Sequence, residues 1–143
     1  MDNAAPWLEI ARKEMGVHEK PGPEAERRIV EYHATTSLKA TSDEVSWCSS
    51  FVNWAITQAG LVGTNSAAAR SWLRWGVHCE VKPGAIAVFP RGANPKSGHV
   101  GFVVAQHPGG YVDILGGNQS NCVRVMTFKL ASALDFRWPG GVA

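Results

Sequence analysis

Hydrophobic and polar positions follow a helical period through the first half of this 143-residue chain and a strand period through the second. Pro6 suits a first helical turn, Trp7, Ile10, Ala11 and Met15 share one face, and Gly16 terminates the stripe, so a helix is predicted over about 6 to 15. Beyond the Pro21-Gly22-Pro23 break, Glu26, Ile29, Val30 and His33 predict a second helix from about 24 to 34. Thr35 through Ser42 is a polar connection, and Thr41 and Glu44 stand at capping-box spacing, which predicts a short turn. Phe51, Val52, Ala55, Ile56 and Ala59 then recur at offsets of three and four from Cys48, giving a helix that starts near Trp47 and stops at Gly60. A shorter helix is predicted over Ala67 to Trp75, before Gly76.

From there the period changes. Ala85 to Phe89 follows the Pro83-Gly84 turn; Val100 to Gln106 and Tyr111 to Leu115 flank the turn-forming His107-Pro108-Gly109-Gly110; Val123 to Phe128 and Leu134 to Trp138 complete five predicted strands. Connections this short favour antiparallel neighbours. The pattern therefore predicts one α+β domain over residues 1–143, its helical N-terminal half packed against a twisted antiparallel sheet, with a cleft where the layers meet.

Composition narrows the function classes. Residues are 45% hydrophobic and 18% charged, as in a globular chain, and no apolar run is long enough for a membrane span, so no membrane insertion is expected. A formal charge of +2, scattered along the chain, does not announce a nucleic-acid surface. The first residues, Met1 to Pro6, lack the basic start and apolar centre of a secretory signal peptide. Synthesis in the cytoplasm is expected, with release or delivery by other machinery if the target lies outside.

The candidate chemistry centres on Cys48. The amide hydrogens and partial positive charge at a helix start favour the thiolate, the nucleophilic form of cysteine. His99, at the mouth of a predicted strand and flanked by Gly98 and Gly101, which should leave open space beside it, is the candidate base. Gly116-Gly117-Asn118-Gln119 closes the next strand, and Asn118 is the candidate for orienting the imidazole. Read as a turn, the same four residues have sufficient local reasons for Asn and Gly.

Taken together, Trp47-Cys48-Ser49-Ser50-Phe51-Val52-Asn53-Trp54, Pro83-Gly84-Ala85-Ile86-Ala87-Val88-Phe89, Gly98-His99-Val100-Gly101-Phe102-Val103-Val104 and Leu115-Gly116-Gly117-Asn118-Gln119 resemble the CHAP and NlpC/P60 branch of papain-like peptidoglycan hydrolases. The resemblance implies a papain-like fold, cleavage of amide bonds in bacterial cell-wall peptides, Cys48 as nucleophile, His99 as general base and Asn118 as the polar residue that orients the ring. It also implies bacterial peptidoglycan as partner and no cofactor. A phage lysin or a delivered antibacterial toxin would fit the missing signal, with an immunity protein or delivery machinery as further partner. The chain departs from the family pattern at Ala85, where an acidic residue is frequent, and at Gly116, where many CHAP members carry a glutamate. The alternatives are a protein peptidase or isopeptidase and a non-catalytic cell-wall-binding domain.

Of the six tryptophans, Trp7, Trp54 and Trp138 are expected to fill the interface between layers. Trp47 is expected to line the cleft beside Cys48, and Trp72 and Trp75 to form an apolar wall for glycan or peptide. Arg70, Arg74 and Arg91 read first as solvated side chains, with substrate carboxylates as the alternative partners. His18, His33, His78 and His107 join no close Cys/His group, so no metal site is expected. Three cysteines leave at least one thiol free, and Cys79 with Cys122 is the pair open to bridging.

Overall fold

The structure, a computed structural model, describes residues 5–18, 27–36, 47–95, 97–119 and 121–141. Helix α1 covers Pro6–Arg12, with proline in the first turn where its missing N–H costs nothing, and buries Trp7, Leu8 and Ala11. It is shorter than its apolar stripe. The chain continues in turns to Gly16, whose φ of +99° suits a residue without Cβ and whose N–H donates to Val123 O at 3.0 Å. Helix α2, Arg27–His33, buries Ile29, Tyr32 and His33. The predicted first residues of α2 and the Thr41–Glu44 turn lie outside the described residues.

Helix α3, Cys48–Gln58, is the central helix and is buried nearly all round, at Cys48, Ser49, Ser50, Phe51, Val52, Asn53, Ala55 and Ile56. A buried helix must satisfy its polar side chains internally. Ser50 does so with His33 Nδ1 of α2 at 2.8 Å, and Asn53 donates to Ser66 O at 3.1 Å and Thr64 Oγ1 at 3.2 Å. Past α3 the chain turns at Gly60, with φ of +86°. The predicted helix over 67 to 75 is a 3-10 helix, Ala69–Arg74.

The sheet has six strands: β1 Val77–His78, β2 Ile86–Pro90, β3 Gly98–His107, β4 Tyr111–Gly116, β5 Arg124–Lys129 and β6 Asp135–Trp138. Their order is β1-β6-β2-β3-β4-β5, and every pairing is antiparallel. The five predicted strands are present within a residue or two of their expected ends. The two-residue β1 has no period to detect, and it exists through pairing with β6, Val77 opposite Trp138. Helix α3 packs across β3 and β4, with α1 and α2 against its other sides.

Aromatic contacts close the layers. Phe51 of α3 meets Phe102 of β3 edge-on at 6.3 Å, and Trp7 meets Trp138 edge-on at 5.1 Å while its indole N–H donates to Gly84 O at 2.7 Å. Trp7 and Trp138 thus fill the interface as expected. Trp54, partly buried, packs on Tyr32 and lies under the Arg28 guanidinium. Cys48, Cys79 and Cys122 are all free thiols. Among the described residues no helix is long and apolar enough to cross a membrane.

Candidate active site

Cys48 is the first residue of α3, where the backbone N–H groups of the first turn have no helical acceptor. Ser49 and Asn53 fasten this end of the helix to the following loop. Ser49 Oγ donates to Ser66 O at 2.7 Å and accepts the Trp72 indole N–H at 2.9 Å. Cys48 itself is only 2% exposed. Burial is the largest influence on its thiol and opposes ionisation, but the hydrogen bond and charge of His99, the Val100 backbone and the charge of Arg91 outweigh it. The thiol pKa is lowered.

His99 is the second residue of β3, paired across the sheet with Phe89, and is 4% exposed. Its ring stacks on Phe128 at 5.6 Å, and Phe128 stacks in turn on Phe89 at 4.6 Å, which fixes the imidazole plane. His99 Nε2 lies 2.7 Å from Gln119 Oε1. Gln119, 3% exposed, has its own orientation settled by the main chain, because Nε2 of the amide donates to Ile114 O at 3.1 Å and Arg124 O at 2.7 Å. The amide oxygen must therefore be the atom facing His99, and an oxygen can only accept. This assigns the ring proton to His99 Nε2. Nδ1 then carries the lone pair, is buried, and is the nitrogen left to face the Cys48 thiol, whose ionisation His99 favours.

The contact assigned in the sequence to Asn118 is thus made by its neighbour. Asn118 occupies a left-handed turn position with φ of +58°, and the next residue, Gln119, makes the contacts with His99, Ile114 and Arg124. Asn118 lines a cavity of about 240 Å³ with His99, Gln119, Arg91, Met126 and Phe128. Two glycines make this loop feasible. A Cβ at Gly117 would stand 2.7 Å from the Trp47 ring and 2.8 Å from Phe51 Cβ, so glycine lets the loop press onto the start of α3. A Cβ at Gly116 would stand 2.6 Å from Gln119 Oε1 and 3.4 Å from His99 Nε2. Gln119 fills the space that a side chain at 116 would otherwise enter.

Other expectations are corrected by packing. Gly98 and Gly101 do not leave open space: a Cβ at Gly98 would lie 2.8 Å from Phe89 O, and one at Gly101 would lie 2.5 Å from Ile114 Cγ2, so both permit close approach. Trp47 does not line the cleft; it is wholly buried and stacked on Tyr32 at 5.9 Å. Trp72, also wholly buried, serves as an anchor for Ser49 instead of a wall. Trp75 is partly exposed, donates to Val62 O at 2.9 Å, and lines a separate small cavity with Leu61, Gly76 and Pro139. His78 and His107 pair with Asp135 and Asp113. Among the described residues no group of three or more His, Cys, Asp or Glu side chains can hold a metal ion.

Compared with known families, residues 40–118 match the CHAP domain, a stretch that contains Cys48, His99 and Asn118 and ends one residue before Gln119. No curated protein matches the chain.

Proposed function

Because the chain belongs to the CHAP domain family, whose members are generally cysteine- and histidine-dependent amidohydrolases, we propose that it hydrolyses an amide bond in peptidoglycan peptides with Cys48 as nucleophile, His99 as base and Gln119 as the residue that positions His99. The observation that carries this reading is the assigned polarity of the His99 ring: Nε2–H held by an amide oxygen that cannot turn, and Nδ1 left for the thiol.

The chemistry follows from that polarity. His99 Nδ1 takes the Cys48 proton, and the thiolate attacks the substrate carbonyl to form a tetrahedral intermediate. The free N–H groups of the first turn of α3 are the natural donors to the developing oxyanion. Protonated His99 returns its proton to the departing amine, leaving a thioester on Cys48. Water, deprotonated by His99, then releases the acid and restores the thiol. Gln119 stabilises the imidazolium by accepting from Nε2 throughout.

The test is a digest. Intact peptidoglycan incubated with the protein should release fragments with new amine termini, resolved by mass spectrometry: termini within the peptides for an endopeptidase, or L-alanine freed from muramic acid for an amidase. The same products from Cys48→Ala protein would refute the nucleophile, and no products from the unaltered protein would refute the activity.

A further inference from the structure

A second concave feature is not used by the mechanism. The 3-10 helix Ala69–Arg74 places Arg70 and Arg74 in the wall of a cavity of about 510 Å³, together with Ser66 and Ser71. The cavity is tied to both halves of the active centre. Arg70 Nε donates to Ser97 O at 2.6 Å, two residues before His99, and Ser66 O accepts from Ser49 Oγ at 2.7 Å, next to Cys48.

The two guanidinium groups are uncompensated. With Nε committed to Ser97, Arg70 has no hydrogen bond from either Nη atom among the described residues, and Arg74 makes neither an ion pair nor a hydrogen bond among them. Three other arginines are ion-paired, Arg12 with Glu9, Arg28 with Glu14 and Glu31, and Arg137 with Asp135, whereas, among the described residues, Arg27 and Arg124 make no ion pair but line no cavity with a second arginine. Arg91 lines the smaller cavity with His99 and also makes no ion pair among the described residues. Two forked donors in one concavity, one of them held in plane by a main-chain carbonyl, suit a carboxylate, which accepts bidentate bonds from guanidinium. Neutral sugar hydroxyls do not call for paired cations.

We propose that this cavity is a carboxylate-binding subsite of the active centre, where Arg70 and Arg74 hold a free carboxylate of an acidic cell-wall peptide beside the amide offered to Cys48. The peptide class rests on the peptidoglycan reading above; the carboxylate rests on the cavity alone.

The test separates the two. Cys48→Ala protein is titrated calorimetrically with a soluble stem peptide bearing free carboxylates and with its carboxamide counterpart. The free acid should bind about tenfold more tightly, the scale of one charge-assisted contact in a partly solvated site. Arg74→Gln, at an exposed position where unfolding is not expected, should remove that preference and leave binding of the carboxamide unchanged; circular dichroism checks the fold. Equal affinities, no measurable binding of the free acid, or an equal loss for both peptides in Arg74→Gln would overturn the subsite. If the preference is found but unaltered protein cleaves neither peptide nor peptidoglycan, the subsite stands and the hydrolase reading fails. If cleavage proceeds with the same KM on both peptides, the reverse holds.

Discussion

Gln119 gives two main-chain hydrogen bonds and accepts one from His99, so its replacement tests position and charge separately. Gln119→Ala is expected to lower kcat by roughly 10- to 100-fold with little change in KM, since an unheld imidazole samples the wrong tautomer and orientation. Gln119→Glu should not restore the rate, because a carboxylate cannot donate to Ile114 O and Arg124 O. Asn118→Gly, which accepts φ of +58° without strain, should retain most turnover. Steady-state kinetics at a temperature where all variants are folded checks the three; a larger loss for Asn118→Gly than for Gln119→Ala would contradict the assignment. Cys48 and His99 were legible as candidates from helix-start and strand-mouth positions. The choice between Asn118 and Gln119 was not, because it depends on the turn after β4, where Asn118 takes a positive φ and Gln119 meets His99. Gly116 held the remaining clue: its missing side chain is the space Gln119 occupies.

Among the elements, α3 and the strands from β2 to β6 were readable because each has enough residues to show a period. The 3-10 helix Ala69–Arg74 and the two-residue β1 have too few, and both are held by partners distant in sequence. The role of Trp72 is hidden in the sequence for the same reason, since it depends on Ser49 rather than on its own neighbours. The β1–β6 edge gives a prediction of its own. Asp135 accepts from His78, from the Phe136 N–H and from Arg137 at 2.6 to 2.8 Å. Burial is the largest influence on Asp135 and opposes ionisation, but these partners prevail and its pKa is lowered. A lowered carboxylate stabilises the fold above its unfolded pKa of about 3.9 and loses that contribution as pH falls through the folded value. Asp135→Asn should therefore lower Tm at neutral pH by a few degrees, on the order of 1 kcal/mol, and the gap should shrink as pH falls below about 4. Thermal melts across that range check it; a gap independent of pH would exclude the ionised contact.

For the whole molecule, apolar periodicity was sufficient for an α+β architecture, and the proposed site lies where its layers meet: Cys48 comes from α3, His99 from β3, and Gln119 from the turn between β4 and β5. The arginines of the same face could not be distinguished in sequence from solvated ones, because pairing is a property of three-dimensional neighbours. The assembly predicts that Cys48 alkylation by a small neutral reagent rises with pH around a midpoint below that of an ordinary thiol, because the thiol pKa is lowered. In His99→Ala the midpoint should move upward, since burial remains while its principal opponent is lost. An unmoved midpoint would break the link between the two residues.

Acyl transfer to Cys48 is tested by acid-quenching the protein during turnover of a cell-wall stem peptide and measuring intact mass followed by peptide mapping. The expected result is a mass gain equal to the acyl portion of the substrate, carried as a thioester on the peptide containing Cys48 and absent from Cys48→Ala. Product formation with the acyl group on another residue, or undiminished product from Cys48→Ala, would contradict it.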